Sequence, residues 1–287
     1  MIQQVPDIGE MVLHHTADAW SIDLYPLGVI HLPRWPDTHI GSWTVNLSPT
    51  KHVVFLFIAA TLVWLTMWLA GRALERQRAG EKAPRGFANA IEAMVLWVRN
   101  DMAIANIGHE TGAQFAPLIM ALFFFILYAN LLGLLPWGSS ATGNLAVTAA
   151  LALMVFLVIE IAGFIKLGPK GYLHTIFPPV PGMSGPGATA ISIIMGPIEI
   201  MSKLVKPLAL AIRLFGNMTA GHFVVLSLFG IIFLFGSLSI WNWAIGIVTA
   251  LLVVAIMLLE LFVAFLQAYV FALLSAVFIG LMQHEHH

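Results

Sequence analysis

The chain has 287 residues, of which 60% are hydrophobic and only 9% charged; its net charge is −1, its mean hydropathy +0.91, and it has no cysteine. Soluble domains carry about 25% charged residues, so a water-facing surface all round is excluded. So is a basic nucleic-acid footprint, and with cysteine absent there are no disulfides, thiolate metal sites or cysteine nucleophiles.

Residues 1–50 are polar, with Pro, His and Trp and no long apolar run, and they read as an external N-terminal segment. No apolar stretch of the secretory-signal type follows Met1, so the first span, 51–70, serves as the insertion signal. Val53 to Ala70 carries no charge. The next loop, "GRALERQRAGEKAPR" (71–85), holds Arg72, Arg76, Arg78, Lys82 and Arg85. The positive-inside rule puts it in the cytoplasm and the N-terminus outside. Within 71–110, Phe87, Ile91, Met94, Val95, Val98 and Met102 follow helical spacing, with Asn89, Glu92, Arg99 and Asn100 between them. That pattern fits an interfacial amphipathic helix or a helix packed on other subunits.

Two membrane helices follow in 111–165. Ala113 to Pro136 is uncharged, and Asn144 to Ile165 carries only Glu160. The loop between them has no Lys or Arg and lies outside. The segment 166–188 has Lys166 and Lys170, is rich in Pro and Gly, and reads as a cytoplasmic loop.

The last region, 189–282, contains two much longer apolar stretches, about 70 Å and 60 Å if helical. The hydrocarbon core is about 30 Å thick. Because only "GSLSIWN" (236–242) separates them, the expectation is two long, strongly tilted helices in a hairpin. The turn is then outside and the tail, 283–287, cytoplasmic. The fold class is an all-α polytopic membrane protein with about five membrane helices and one interfacial helix.

Charges inside these stretches are costly. Glu199, Lys206 and Arg213 are seven apart, so each step turns a helix by about −20° and the three form one stripe. Ser202, Lys203 and Asn217 lie close to it; His222 falls on the opposite face. Glu260 and Gln267 again share a face. Arginine cannot escape by deprotonation, so Arg213 is the residue least explained by tolerance. It is either functional, or an ion-pair partner of Glu260, or a snorkelling side chain. His222 and Glu260 titrate and can pass protons, though a lone His also serves as a packing residue. Glu160 is either a half-channel liner or a buried neutral acid. Tyr128 and Asn130 suit helix–helix hydrogen bonds. Glu199, Lys203 and Lys206 also read as solvated charges at a helix end. The terminal "HEHH" is too short for a metal site, and no HExxH or phosphate-binding loop occurs; no metal and no cofactor are expected.

The segment "PIEIMSKLVKPLALAIRLFGNMTAGH" (197–222) resembles the signature of subunit a of the bacterial F-type rotary ATP synthase. "LLELFVAFLQAYVFALLSAVFIGL" (258–281) resembles the last helix of that family, and "MALFFFILYANLLGLLP" (120–136) also fits. The likeness covers most of 50–282 and is weak over the first fifty residues. It implies that Arg213 is the essential charge facing the c-ring. Asn217 and Gln267 match polar residues near it, Glu199, Ser202 and Lys206 a cytoplasmic half-channel, and His222 with Glu260 the outer half-channel. In some members the acid and the histidine exchange places; here the histidine is on the earlier helix. Glu160 departs from the family pattern. The resemblance further implies partners, namely the c-ring, the peripheral-stalk b subunits, the lipid bilayer and protons as the transported ion. It implies a bacterial inner-membrane location and a subunit that is not an enzyme by itself. The other reading of the charges is a stand-alone proton-coupled transporter or channel; broken helices or internal repeats would favour it, and no repeat is evident.

Overall fold

The computed structural model describes residues 18–24, 28–41, 43–46, 48–78, 87–135, 138–178, 182, 185–235 and 242–283. The basic residues Lys82 and Arg85, the turn at 236–241 and the tail with its "HEHH" lie outside these. The secondary structure is helical apart from two short antiparallel ribbons in the N-terminal segment. These pair β1 (Ser21–Leu24) with β2 (Gly28–His31) and β3 (Thr38–Ile40) with β4 (Trp43–Val45). Sequence reading gave no strands there, because runs of three or four residues carry too little alternation to register.

The helices are α1 (Lys51–Arg78), α2 (Phe87–Trp97), α3 (His109–Gly133), α4 (Leu145–Ile176), α5 (Pro186–Phe235) and α6 (Asn242–Gln283). Five of them, all but α2, are long and apolar enough to cross a membrane. At about 1.5 Å per residue, the 50 residues of α5 and the 42 of α6 reach about 75 Å and 63 Å. The two long helices expected from the sequence are therefore present. Pro197 and Pro207 sit inside α5 without ending it. Each removes one backbone donor, a loss that neighbouring groups in a membrane protein can offset.

One expectation is corrected. The stretch 167–187, read as loop, is helical through Ile176. Gly168 takes φ 67 and breaks the helix, and Pro169 restarts it. Only glycine adopts that backbone without a Cβ penalty, and proline fits a first helical position because its missing N–H has no partner to lose there. Gly-Pro therefore acts here as a kink between two helical pieces rather than as an open loop. The same pair, Gly185–Pro186, starts α5.

The amphipathic segment is likewise only partly as expected. Ile91, Val95, Val98 and Met102 are buried, and Asn89, Arg99 and Asn100 are exposed. Glu92, expected on the polar side, is buried, and its Oε2 finds no hydrogen-bond partner. The buried face of α2 is wider than the apolar stripe and takes in position 92, about 60° from Val95. After Trp97 the helix widens to a π form over Val98–Ile104, with the Ala105 N–H donating to the Asn100 carbonyl five residues back. Met102, Ala103 and Ile107 are buried there too.

The chain divides into two compact units. The first comprises Met1–Trp64, Phe125–Asn144 and Leu214–Gln267; the second comprises Leu65–Phe124, Leu145–Arg213 and Ala268–His287. The first unit is held by a buried polar chain. Asn130 Nδ2 donates to the Ala264 carbonyl at 3.2 Å, and Thr142 Oγ1 donates to Asn130 Oδ1 at 2.6 Å. Ser140 Oγ lies 2.6 Å from Thr142 Oγ1. Satisfied buried networks of this kind fix one arrangement of neighbouring helices, which is the role expected for Asn130. The second unit has an aromatic core. Trp97 stacks on Tyr269 at 5.6 Å and meets Phe123 edge-on, and Phe123 meets Phe124 in the same way.

Candidate functional site

The sequence-predicted site residues fall into three groups and one bare stripe. The first group lies in the first unit, where a pocket of about 250 Å³ is lined by His222 and Thr219 of α5, Glu260 and Met257 of α6, His52 of α1, and the turn that follows α3. Glu260 is half-buried, and its Oε1 has no hydrogen-bond partner; Thr219 Oγ1 is buried and equally unpartnered. Buried polar atoms are normally satisfied by protein or water, and a pocket of this size has room for several water molecules. The polar groups on its wall, set among apolar side chains such as Leu134, Val225 and Leu226, are suited to hold water between titratable side chains.

Gly221 sets the depth of Glu260. A Cβ there would overlap Glu260 Oε1 and crowd the rest of its carboxyl group. The carboxyl thus occupies the space a side chain on α5 would fill, which is why the position between Ala220 and His222 carries none.

The second group is a pair. Asn217 Nδ2 of α5 donates to Gln267 Oε1 of α6 at 2.9 Å, and Gln267 is buried. Together with the approach of Gly221 to Glu260, this pair makes α5 and α6 antiparallel within the first unit. The hairpin expected from the sequence is thereby met over these residues.

The third group lies in the second unit. Lys203 Nζ is 3.4 Å from Glu160 Oε2 and donates to Thr175 Oγ1 at 2.9 Å. Tyr172 donates its hydroxyl to the same Glu160 oxygen and presents its ring to the Lys203 ammonium at 4.7 Å. Glu160 and Lys203 have side chains 16% and 15% exposed, so Lys203 is not the solvated charge it resembled. Of the two readings open for Glu160, the neutral isolated acid gives way to a paired carboxylate. The pairing was illegible because Lys203 is 43 residues away in sequence, and because Tyr172 and Thr175 sit on the helical piece beyond Gly168.

The stripe is Glu199, Ser202, Lys206 and Arg213, all on the part of α5 in the second unit. Glu199 and Ser202 are half-buried; Lys206 and Arg213 are exposed. Lys206 Nζ lies 5.3 Å from the centre of the Phe278 ring. Val205 and Ile212, about a quarter turn round from Arg213, are exposed too, as are Met201, Leu204 and Leu208 further round the helix, so Arg213 borders an exposed apolar flank of α5. The ion pairs among the described residues are His52–Asp18 and Lys203–Glu160, and neither involves Arg213.

Besides Tyr172 and Thr175, the pocket residues His52 and Thr219 went unnoticed in the sequence, as did Asp18, the partner of His52. His52 Nδ1 is 2.8 Å from Asp18 Oδ1, and His52 is 3% exposed. Its only sequence signal is its place at the very start of the first apolar run. Burial raises the Asp18 carboxyl, but hydrogen bonds from His52 and Thr50 and the His52 charge outweigh that and hold it below its ordinary value.

Comparison with known proteins follows the same elements. A family profile described as ATP synthase A chain matches residues 51–280. ATP synthase subunit a 2 of Chlorobaculum tepidum is 43% identical over 273 residues, covering 95% of this chain and 72% of that protein. ATP synthase subunit a of Myxococcus xanthus is 45% identical over 246 residues, covering 84% and 76%. ATP synthase subunit a of Chloroherpeton thalassium is 41% identical over 276 residues, covering 96% and 77%.

Proposed function

The chain belongs to the ATP synthase A chain family, and from that premise we propose that it is the stator proton-channel subunit of a rotary ATP synthase. It offers two offset half-channels and one fixed positive charge, and it couples proton passage to rotation of the c-ring. The observation that carries the reading is the division of labour along α5. His222 of α5 and Glu260 of α6 meet on the wall of one pocket, while Arg213, earlier along α5, is exposed and has no ion pair among the described residues.

The chemistry follows from desolvation. A ring carboxylate facing lipid must be protonated, because an isolated charge there is prohibitive. It ionises only where water or a counter-charge is present. Arg213 is that counter-charge. At about 4 Å and an effective dielectric near 20 the attraction is about 4 kcal/mol, equivalent to about 3 pH units in the carboxylate's proton affinity. The proton leaves into one half-channel, the carboxylate passes Arg213, and a proton returns from the other half-channel through His222 and Glu260. The same positive charge keeps protons from crossing directly between the two. Each charge moved down 100 mV supplies about 2.3 kcal/mol, so several are needed for each ATP, a number set by the ring.

Asn217 and Gln267 position the helices one turn from Arg213. Glu199, Ser202 and Lys206 belong to the cytoplasmic half-channel. Glu160 serves as a structural ion-pair partner of Lys203, outside the path. The peripheral-stalk b subunits are further partners. The site is the bacterial inner membrane, with the N-terminus outside and the C-terminus cytoplasmic. The uninterrupted run of α5 and α6 supports a ring-facing hairpin over a stand-alone transporter, whose substrate site would call for broken helices.

The test is ATP-driven proton pumping in inverted membrane vesicles. Arg213→Ala is expected to abolish pumping with the complex assembled. Pumping at the wild-type level would overturn the mechanism.

A further inference from the structure

The His222–Glu260 pocket has a third titratable side chain on its wall, His52, which the functional reading above does not use. His52 comes from α1, not from the α5–α6 hairpin. Its ring is almost wholly buried, yet one nitrogen is already engaged: Nδ1 lies 2.8 Å from Asp18 Oδ1. The Asp18 side chain is 35% exposed. The carboxylate therefore reaches solvent, the imidazole reaches the pocket, and one hydrogen bond joins them. The arrangement is braced from both sides. The His52 backbone N–H also faces Asp18 Oδ1, at 3.5 Å. Asp18 Oδ1 accepts from the Ala19 N–H at 3.1 Å, and the Ala19 carbonyl accepts from the Lys51 N–H at 2.9 Å.

We propose that Asp18 and His52 form a proton relay that feeds the His222–Glu260 pocket from the outer aqueous phase. The inference rests on the proton-channel reading and adds to it a mouth built from the N-terminal segment.

The step balances as a simple hand-over. A hydronium ion of the outer aqueous phase gives a proton to the Asp18 carboxylate and leaves as water. The Asp18 O–H bond breaks as an N–H bond forms at His52 Nδ1. The imidazolium then releases a proton from Nε2 to water in the pocket, and from there to Glu260 or His222. One proton enters, one leaves, and Asp18 ends ionised. The histidine ends neutral with its N–H on Nδ1, and a ring flip or tautomer exchange resets it. No oxidant or cofactor is involved. Histidine is suited to the middle place because its two nitrogens are distinct sites, one set by its partner and one free to exchange. Lys51, next to His52 in sequence, is buried as well.

The experiment uses the whole ATP synthase complex reconstituted in liposomes. The soluble catalytic head is removed, and passive proton flux is driven by a potassium diffusion potential. His52→Ala is expected to lower flux about tenfold, the small end of what a positioned proton carrier contributes. Imidazole added on the outer side should restore much of it. Asp18→Asn should lower flux less and respond weakly to imidazole. Wild-type flux in His52→Ala, or lost flux with no response to imidazole in an assembled complex, would overturn the relay. If His52→Ala fails to assemble, His52→Gln decides. It keeps a hydrogen bond to Asp18 but passes no proton, so lost flux supports the relay and wild-type flux refutes it. Glu260→Gln measured alongside separates the two levels. If Glu260→Gln conducts normally, the pocket is no path and the parent reading fails. If it blocks flux while His52→Ala conducts normally, only the relay fails.

Discussion

Two of the glutamates inside apolar helices of this chain, Glu160 and Glu260, have surroundings that differ in kind. Glu160 is surrounded by partners: a lysine ammonium, a tyrosine hydroxyl, and a threonine that orders the lysine. Glu260 has an oxygen without a protein partner and faces a pocket shared with two histidines. A carboxyl group held by an ion pair and hydrogen bonds is fixed in one place by a built network. One facing a pocket with room for water has no such network to break. The residue type alone does not tell a lock from a relay; the partners do.

Several changes would break or sharpen that contrast. The largest effect is expected at Gly221. Gly221→Ala forces the Glu260 carboxyl from its seat, and misplacing a reacting group by about 1 Å costs up to about a hundredfold in rate. ATP-driven pumping should fall at least about tenfold, and adding Glu260→Asp, which shortens the side chain, should recover part of it. Unchanged pumping in the single variant would show that the close approach has no functional weight.

Next comes Lys203. Lys203→Met leaves Glu160 part-buried with its counter-charge gone. A fully buried orphan costs about 3–5 kcal/mol, and partial exposure reduces that to about 2 kcal/mol. The purified complex should unfold at lower temperature in its membrane sector, while proton flux per assembled complex stays near wild type. The double variant with Glu160→Gln should regain most of the loss. A double variant no more stable than the single one would mean the pair is not the lock described.

The smallest effect is at the outer rim. Asp18 has a lowered proton affinity in the folded chain, from an ordinary value of 3.8. Its contribution to stability is therefore present above about pH 4 and fades as pH falls through the lowered folded value. The stability difference between wild type and Asp18→Asn should be small at pH 7 and shrink as the pH falls below about 4. A difference that grows on acidification would contradict the sign.

Much of this was legible in the sequence, and for identifiable reasons. The spans follow from uncharged runs such as 113–136, and the hairpin from two stretches too long for one bilayer crossing each. The pairing of His222 with Glu260 was not readable from spacing, since they lie on different helices; resemblance to a family supplied it. What escaped were contacts whose partners are distant in sequence or ordinary in type. Nothing local marks Lys203 as the partner of Glu160, and Gly168–Pro169 looks like loop until the second helical piece carrying Tyr172 and Thr175 is seen. Glu92 runs the opposite way: a polar residue set between apolar positions, it lies on the buried side of the helix.

The most direct measurement compares the two glutamates in one assay. Glu260→Gln and Glu160→Gln complexes, each checked for assembly, are placed in liposomes without the soluble head, and passive proton flux is recorded. The account predicts that Glu260→Gln stops flux while Glu160→Gln conducts at close to the wild-type rate. Normal conduction in Glu260→Gln together with blocked conduction in Glu160→Gln would reverse the assignment of relay and lock and contradict it.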